Sequence, residues 1–135
     1  MNDVLSTMLA IKNLWIDDIR PAPPGWECAR TINSAIEMLA NNSYEEVSLD
    51  RDISLKITAN GVSRPYPIGE SFEAVAYYLV LISKLSRPKK ITVHSSNKSR
   101  GNWMADFLRA YGYDVARVYM QPSNRLELES AGEIK

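Results

Sequence analysis

One cysteine, Cys28, and one histidine, His94, occur in the 135 residues. A lone thiol forms no intramolecular disulfide and builds no multi-cysteine metal site. Long apolar runs are missing as well. A membrane span needs about 20 such residues, whereas the most apolar stretch, Phe72 to Leu85, is shorter and carries Glu73 and Lys84. Neither sign of charge is in excess, since sixteen Lys and Arg balance sixteen Asp and Glu. That balance supplies no field for nonspecific capture of duplex nucleic acid. The amino terminus has no basic start and no small-residue cleavage site, so the expectation is a soluble, cytoplasmic protein without membrane contact. Gly-x-Gly-x-x-Gly and P-loop patterns are absent, as are internal repeats.

What is present is a recurring shape. Leu14-Trp15-Ile16 runs into Asp17-Asp18-Ile19-Arg20 and a stiff loop with Pro21, Pro23, Pro24 and Gly25. Val47-Ser48-Leu49 runs into Asp50-Arg51-Asp52, and Ile91-Thr92-Val93 into His94-Ser95-Ser96-Asn97. Short apolar runs of this kind read as strands of a parallel sheet buried on both faces. An unpaired carboxylate inside such a strand costs several kcal/mol, so the acidic pairs belong at the strand ends. Open α/β sheets place their ligands at those carboxyl ends. The three stretches therefore predict one site that includes Asp17, Asp50 and His94.

Between the strands, Thr31–Asn41, Ser71–Leu85 and Asn102–Tyr111 read as helices, and Val115–Met120 as the last strand. Leu55 to Arg64 alternates apolar and polar residues around Asn60-Gly61, a tight-turn signal that predicts an inserted β-hairpin. Its position directly after Asp50-Arg51-Asp52 would hang it over the site and bring Lys56 or Arg64 near a ligand. Alternating strands and helices predict an α/β fold, a three-layer sandwich around a mainly parallel sheet of four or five strands. The expected organisation is a leader over residues 1–10, one domain over 11–120 and a polar tail over 121–135. The 71–85 helix is apolar around most of its circumference, which predicts deep burial or a contact between copies of the chain.

Read as chemistry, Asp17, Asp18, Asp50 and Asp52 offer the hard oxygen ligands that a divalent cation, Mg²⁺ first, prefers. Ser95, Ser96 and Asn97 precede a helix amino terminus, where free amides favour phosphate. Trp26, beside the proline-rich loop, is placed to stack on a ligand.

The run from Leu14 to Trp26, followed by Ser48-Leu-Asp-Arg-Asp52 and Val93-His-Ser-Ser-Asn97, resembles the cyclic-phosphate processing receiver domain family. The resemblance spans about Leu14 to Tyr119. It implies a receiver-like fold related to the receivers of two-component signalling. It also implies a site that binds or hydrolyses a cyclic-phosphate-containing nucleotide or sugar. Under it, His94, Asp17 and Asp50 are the catalytic candidates, with His94 as general acid or base. Arg20, Arg51 and Asn97 would hold phosphate oxygens. The chain departs from the family pattern at Arg51, which stands where the middle motif usually has histidine, and at Lys98-Ser99-Arg100, where Pro and Gly are common. No Lys ends the last strand, which speaks against phosphorelay. Two functions fit: a phosphoesterase of cyclic phosphates, or a non-catalytic receiver that binds a protein partner or sequesters a nucleotide.

Overall fold

A computed structural model describes residues 11–120, and only the backbone at 55–57 and 63–68. Strands β1 (Asn13–Ile16), β2 (Glu27–Ala29), β3 (Glu46–Leu49), β6 (Lys90–Ser95) and β7 (Val115–Tyr119) form one sheet. Its order is β2-β1-β3-β6-β7, with every pair parallel. Strands β4 (Asp52–Ala59) and β5 (Val62–Ser71) form a separate antiparallel hairpin. Helices α1 (Ile32–Asn41), α2 (Glu73–Leu81) and α3 (Lys98–Ala110) complete the chain, with a 3₁₀ turn at Lys84–Ser86.

Alternation sorts the strand residues onto two faces. In register, Leu14, Val47, Ile91 and Val115 form one row, and Ile16, Leu49 and Val93 the next. These rows share a single apolar core with Ala35 and Leu39 of α1, Val75, Ala76 and Leu79 of α2, and Met104, Ala105 and Leu108 of α3. The three crossovers step along the sheet in one direction. Right-handed connections then put all three helices on the same face. The connection from β1 to β2 steps the other way and contains no helix, only the proline-rich loop. Trp26 of that loop meets Trp15 on the opposite face, edge to face at 6.3 Å. The second helical layer of the expected sandwich is not among the described residues.

Several boundaries differ from the sequence expectation. β1 begins at Asn13 rather than Ile11, and β2 is an added edge strand. α2 stops at Leu81 and not at Leu85, leaving Leu81 82% and Leu85 98% exposed. α3 starts at Lys98, ahead of the expected Asn102, because the Asn97 side chain accepts from the Arg100 amide and caps it. The hairpin is longer than Leu55–Arg64. Its turn is at Asn60-Gly61, as expected, with φ of 55° and 76°, the left-handed pair that a two-residue hairpin turn demands. The side chains of Lys56 and Arg64, the 1–10 leader and the 121–135 tail lie outside the described residues.

Candidate functional site

The sheet reverses its direction of growth at β1 and β3, and Asp17, Asp18 and Asp50 follow those two strands. Open parallel sheets place their ligands in a crevice at the carboxyl edge of such a switch point. Oxygens of the three carboxylates all lie within 4.8 Å of one another.

Asp17 is fully buried and turns the chain on itself. Its Oδ1 accepts from the amides of Ile19 (2.9 Å) and Arg20 (2.8 Å), an Asx turn that ends β1. Its Oδ2 lies 3.1 Å from Arg20 Nη1 and 2.9 Å from His94 Nε2. Burial pushes this carboxyl up, but the hydrogen bonds from His94 and the two amides, with the Arg20 charge, outweigh it and hold Asp17 below the usual range. Asp50 is the opposite case. Burial first, and the Asp17 charge second, push it up to about 8, against the pull of Arg20 at 3.3 Å and the Arg51 amide at 2.7 Å. Asp18 is half-buried and also raised, by burial foremost; its Oδ2 accepts from the Ser54 amide at 2.6 Å. That bond ties the first residues of the hairpin to the site.

His94 stands behind Asp17 instead of in the crevice. It is 1% exposed, and its ring stacks on Trp15 with centroids 3.8 Å apart and planes 9° from parallel. Burial holds it below the ordinary histidine range, so the neutral ring is favoured. Its partners then assign the tautomer: Nε2–H donates to Asp17, and Nδ1 accepts the Ser48 hydroxyl at 2.6 Å. Both ring nitrogens are thereby engaged with protein groups. Trp15, Ser48 and His94 share one sheet face, and the Trp15 indole N–H is fixed in turn on the Arg20 carbonyl at 3.0 Å.

The other sequence candidates form a second group beside the first. Asp52 opens β4 and is not part of the carboxylate cluster; its Oδ1 accepts from Arg51 Nη1 (2.9 Å) and Asn97 Nδ2 (3.2 Å). Arg51 also pairs with Glu73 at 2.8 Å, and Arg100 reaches the same carboxylate at 2.9 Å. Asn97 caps α3, and the buried Ser95 hydroxyl accepts the Asn97 amide at 3.1 Å. Ser96 is half-buried in the same loop, and Trp26 is half-buried against Trp15. Arg20 is brought into the first group, on the acidic residues themselves.

Ser48, Glu73 and Arg117 were missed from sequence; Arg100 was expected beside Lys98 as a cation of a phosphate cradle and is found on Glu73. Arg117 of β7 donates to the carbonyls of Val93 (3.2 Å), Ser95 (3.0 Å) and Asn97 (3.2 Å), fixing the loop between β6 and α3. Gly101 admits it, since a Cβ there would lie 2.5 Å from the guanidinium. Strand alternation is the signal that finds Ser48, placing it on the face of Trp15 and His94. No comparable signal marks Glu73 or Arg117.

The model of the cyclic-phosphate processing receiver domain matches residues 12–110. The chain belongs to that family. Every residue of the receiver domain's carboxylate cluster lies within the matched span. Among solved structures, the chain is similar to the response regulator domain of Thermotoga maritima CheB, with 15% identity, 92% of each chain covered and a TM-score of 0.47. Comparison with curated proteins finds no match.

The chemistry of the cluster suits a divalent cation. Three ionised carboxylates would face the guanidinium of Arg20, and burial first, then the Asp17 charge, drive Asp50 towards its protonated form. A dication supplies the charge that is lacking, and hard oxygens are what Mg²⁺ takes. The residues fit.

Proposed function

We propose that this receiver domain binds a phosphate-bearing nucleotide or sugar in the crevice at the β1/β3 switch point and hydrolyses its cyclic phosphate. The observation that carries the reading is the convergence of Asp17, Asp18 and Asp50, whose carboxylate oxygens lie within 4.8 Å of one another with Asp17 and Asp50 buried. Asp17, Asp18 and Asp50 would hold Mg²⁺, which when bound neutralises and polarises phosphate oxygens. Asp52 serves the loop instead, by holding Arg51 and Asn97 at the rim. Arg51 and Arg100 stand at the same edge on Asp52 and Glu73, and would turn from those carboxylates to receive a phosphate beside the amino terminus of α3. Ser95 and Ser96 would line that cradle, and Trp26, packed on Trp15, would stack on the ligand from the β1–β2 loop. Hydrolysis adds water across one P–O bond, the proton going to the leaving oxygen. His94 contributes by locking Asp17 in a single orientation, as a positioning residue.

A second reading, a module that binds the same ligand without turning it over, is favoured by one observation. Arg51, in the middle of the Asp-Arg-Asp motif, is held by Asp52 and Glu73, and the one histidine has both nitrogens engaged. Incubating the purified chain with a panel of cyclic-phosphate nucleotides and sugars, with and without Mg²⁺, separates the two by ³¹P NMR. Product that depends on Mg²⁺ supports hydrolysis. Saturable binding without product supports the module. Neither binding nor product with any ligand rejects both.

A further inference from the structure

Arg20 is bound to two of the three clustered carboxylates. Its Nη1 lies 3.1 Å from Asp17 Oδ2 and 3.3 Å from Asp50 Oδ2, and the residue is 8% exposed. We propose that Arg20 is a tethered counterion: its guanidinium and a divalent cation compete for the same two oxygens, so cation binding expels the side chain. This rests on the divalent-cation reading above and extends it to the order of events.

The geometry separates what can move from what stays. The Arg20 amide is held by Asp17 Oδ1, and its carbonyl accepts from Trp15 Nε1 (3.0 Å) and Arg30 Nη1 (2.6 Å). Backbone and guanidinium thus use different oxygens of Asp17, with Trp15 and Arg30 on the backbone and Asp50 on the guanidinium. The side chain can leave without unravelling the Asx turn, because Asp17 uses Oδ1 for the turn and Oδ2 for the guanidinium. A Mg²⁺ ion sits about 2.1 Å from each ligand oxygen. A cation seated between Asp17 Oδ2 and Asp50 Oδ2 would crowd Nη1 and add positive charge beside it, where little water screens the two.

Two consequences follow. The apparent cation affinity is reduced by the work of releasing Arg20, as for any ligand whose competent state is only fractionally populated. The guanidinium, displaced from Asp17 and Asp50, is then offered to an anion beside the cation. Cation and phosphate binding become positively coupled, and the coupling is reciprocal.

The test is calorimetric titration of the purified full chain with Mg²⁺ and Mn²⁺, comparing wild type with Arg20→Gln and Arg20→Lys. Arg20→Gln removes the charge and shortens the side chain by two atoms, so that it no longer reaches both carboxylates, and is expected to bind the cation at least about tenfold more tightly. Arg20→Lys, whose ammonium lacks the planar fork, should fall between. In parallel, the Arg20 Nε–Hε resonance of the wild-type chain should shift on Mg²⁺ addition as its carboxylate partners are lost. That readout keeps the proposal testable where Arg20→Gln fails to fold. Unchanged or weaker affinity in a folded Arg20→Gln chain, or an Arg20 resonance indifferent to bound Mg²⁺, overturns the exchange and leaves the cation site standing. Absence of cation binding to wild type and both variants overturns the exchange and the cation reading together.

Discussion

Two acidic pairs end two neighbouring strands, and they behave differently. Asp17 and Asp18 are adjacent, so a continuing strand would send them to opposite faces; instead both enter one cluster. Asp50 and Asp52 are two apart, so a continuing strand would send them to the same face; instead only Asp50 joins the cluster, and Asp52 pairs with Arg51 and Asn97. The difference lies in what the chain does next. After Asp17 it tightens into an Asx turn, which brings the following carboxylate round beside its neighbour. After Asp50 it enters a new strand at Asp52, which carries that carboxylate away. Spacing rules valid inside a strand fail at its end, where turn chemistry decides.

Removing Asp17 should break the comparison most severely. Asp17→Ala takes the acceptor from two amides, from Arg20 and from His94, and leaves Arg20 buried with less compensation. A stability loss of about 3–5 kcal/mol is expected in urea unfolding. A loss below about 1 kcal/mol would show that the turn holds without its side chain.

Asp50→Asn should act in the other direction, in metal-free protein. The folded chain holds the Asp50 proton up to about pH 8, whereas the unfolded carboxyl releases it near its ordinary value. The folded state therefore binds more protons in that interval, and this contribution to stability fades as pH rises through it. The variant should match wild type near pH 4 and exceed it by about 2 kcal/mol at pH 8–9. His94, held low by burial, runs the opposite way: its contribution is whole above its ordinary range and is lost as pH falls. It is common to both proteins, so the difference in Tm between them, followed across pH, is the readout. A constant difference would mean that Asp50 stays ionised throughout.

Asp18→Asn sharpens the first pair. Metal-free stability should stay level or rise by less than about 1 kcal/mol, since one of three clustered charges is removed, while Mg²⁺ affinity by calorimetry falls. A clear loss of stability would give priority to its bond with the Ser54 amide.

The smallest effect belongs to Asp52→Asn. Its ion pair with Arg51 is partly exposed, so a change within about 0.5 kcal/mol and an unaltered Mg²⁺ affinity are expected. A fall in affinity equal to that of Asp18→Asn would place Asp52 in the cluster and dissolve the contrast between the pairs.

The sheet and the location of the site were legible because apolar triplets ending in carboxylates or histidine are hard to place in any other way. Asn60-Gly61 likewise announced the hairpin turn. β2 was not legible, because Glu27-Cys28-Ala29 is a three-residue edge strand without an apolar run, stabilised by its register against β1. α2 was overextended because apolar residues continue through Leu85, although the chain leaves the helix at Ile82. Within the site, Asp17, Asp18 and Asp50 were readable as a cluster; the departure of Asp52 from it and the depth of His94 were not. Depth depends on what covers the face, here Trp15 from β1, and that is a tertiary fact. Arg20 was expected on phosphate and is found on Asp17 and Asp50, since an arginine two positions beyond an acidic pair can fold back once the turn closes.

The hairpin departs from the domain at Asp52 and returns at Ser71, and those two residues are paired across its base. Paired strand residues stand about 5 Å apart, a gap that one or two residues of chain can bridge. Everything between them is an excursion whose removal leaves both ends already in place, and whose enlargement moves neither. For protein engineering this is a grafting port: a foreign module spliced at Asn60-Gly61 would enter and exit side by side, on a stalk anchored next to Asp18 through the Ser54 amide.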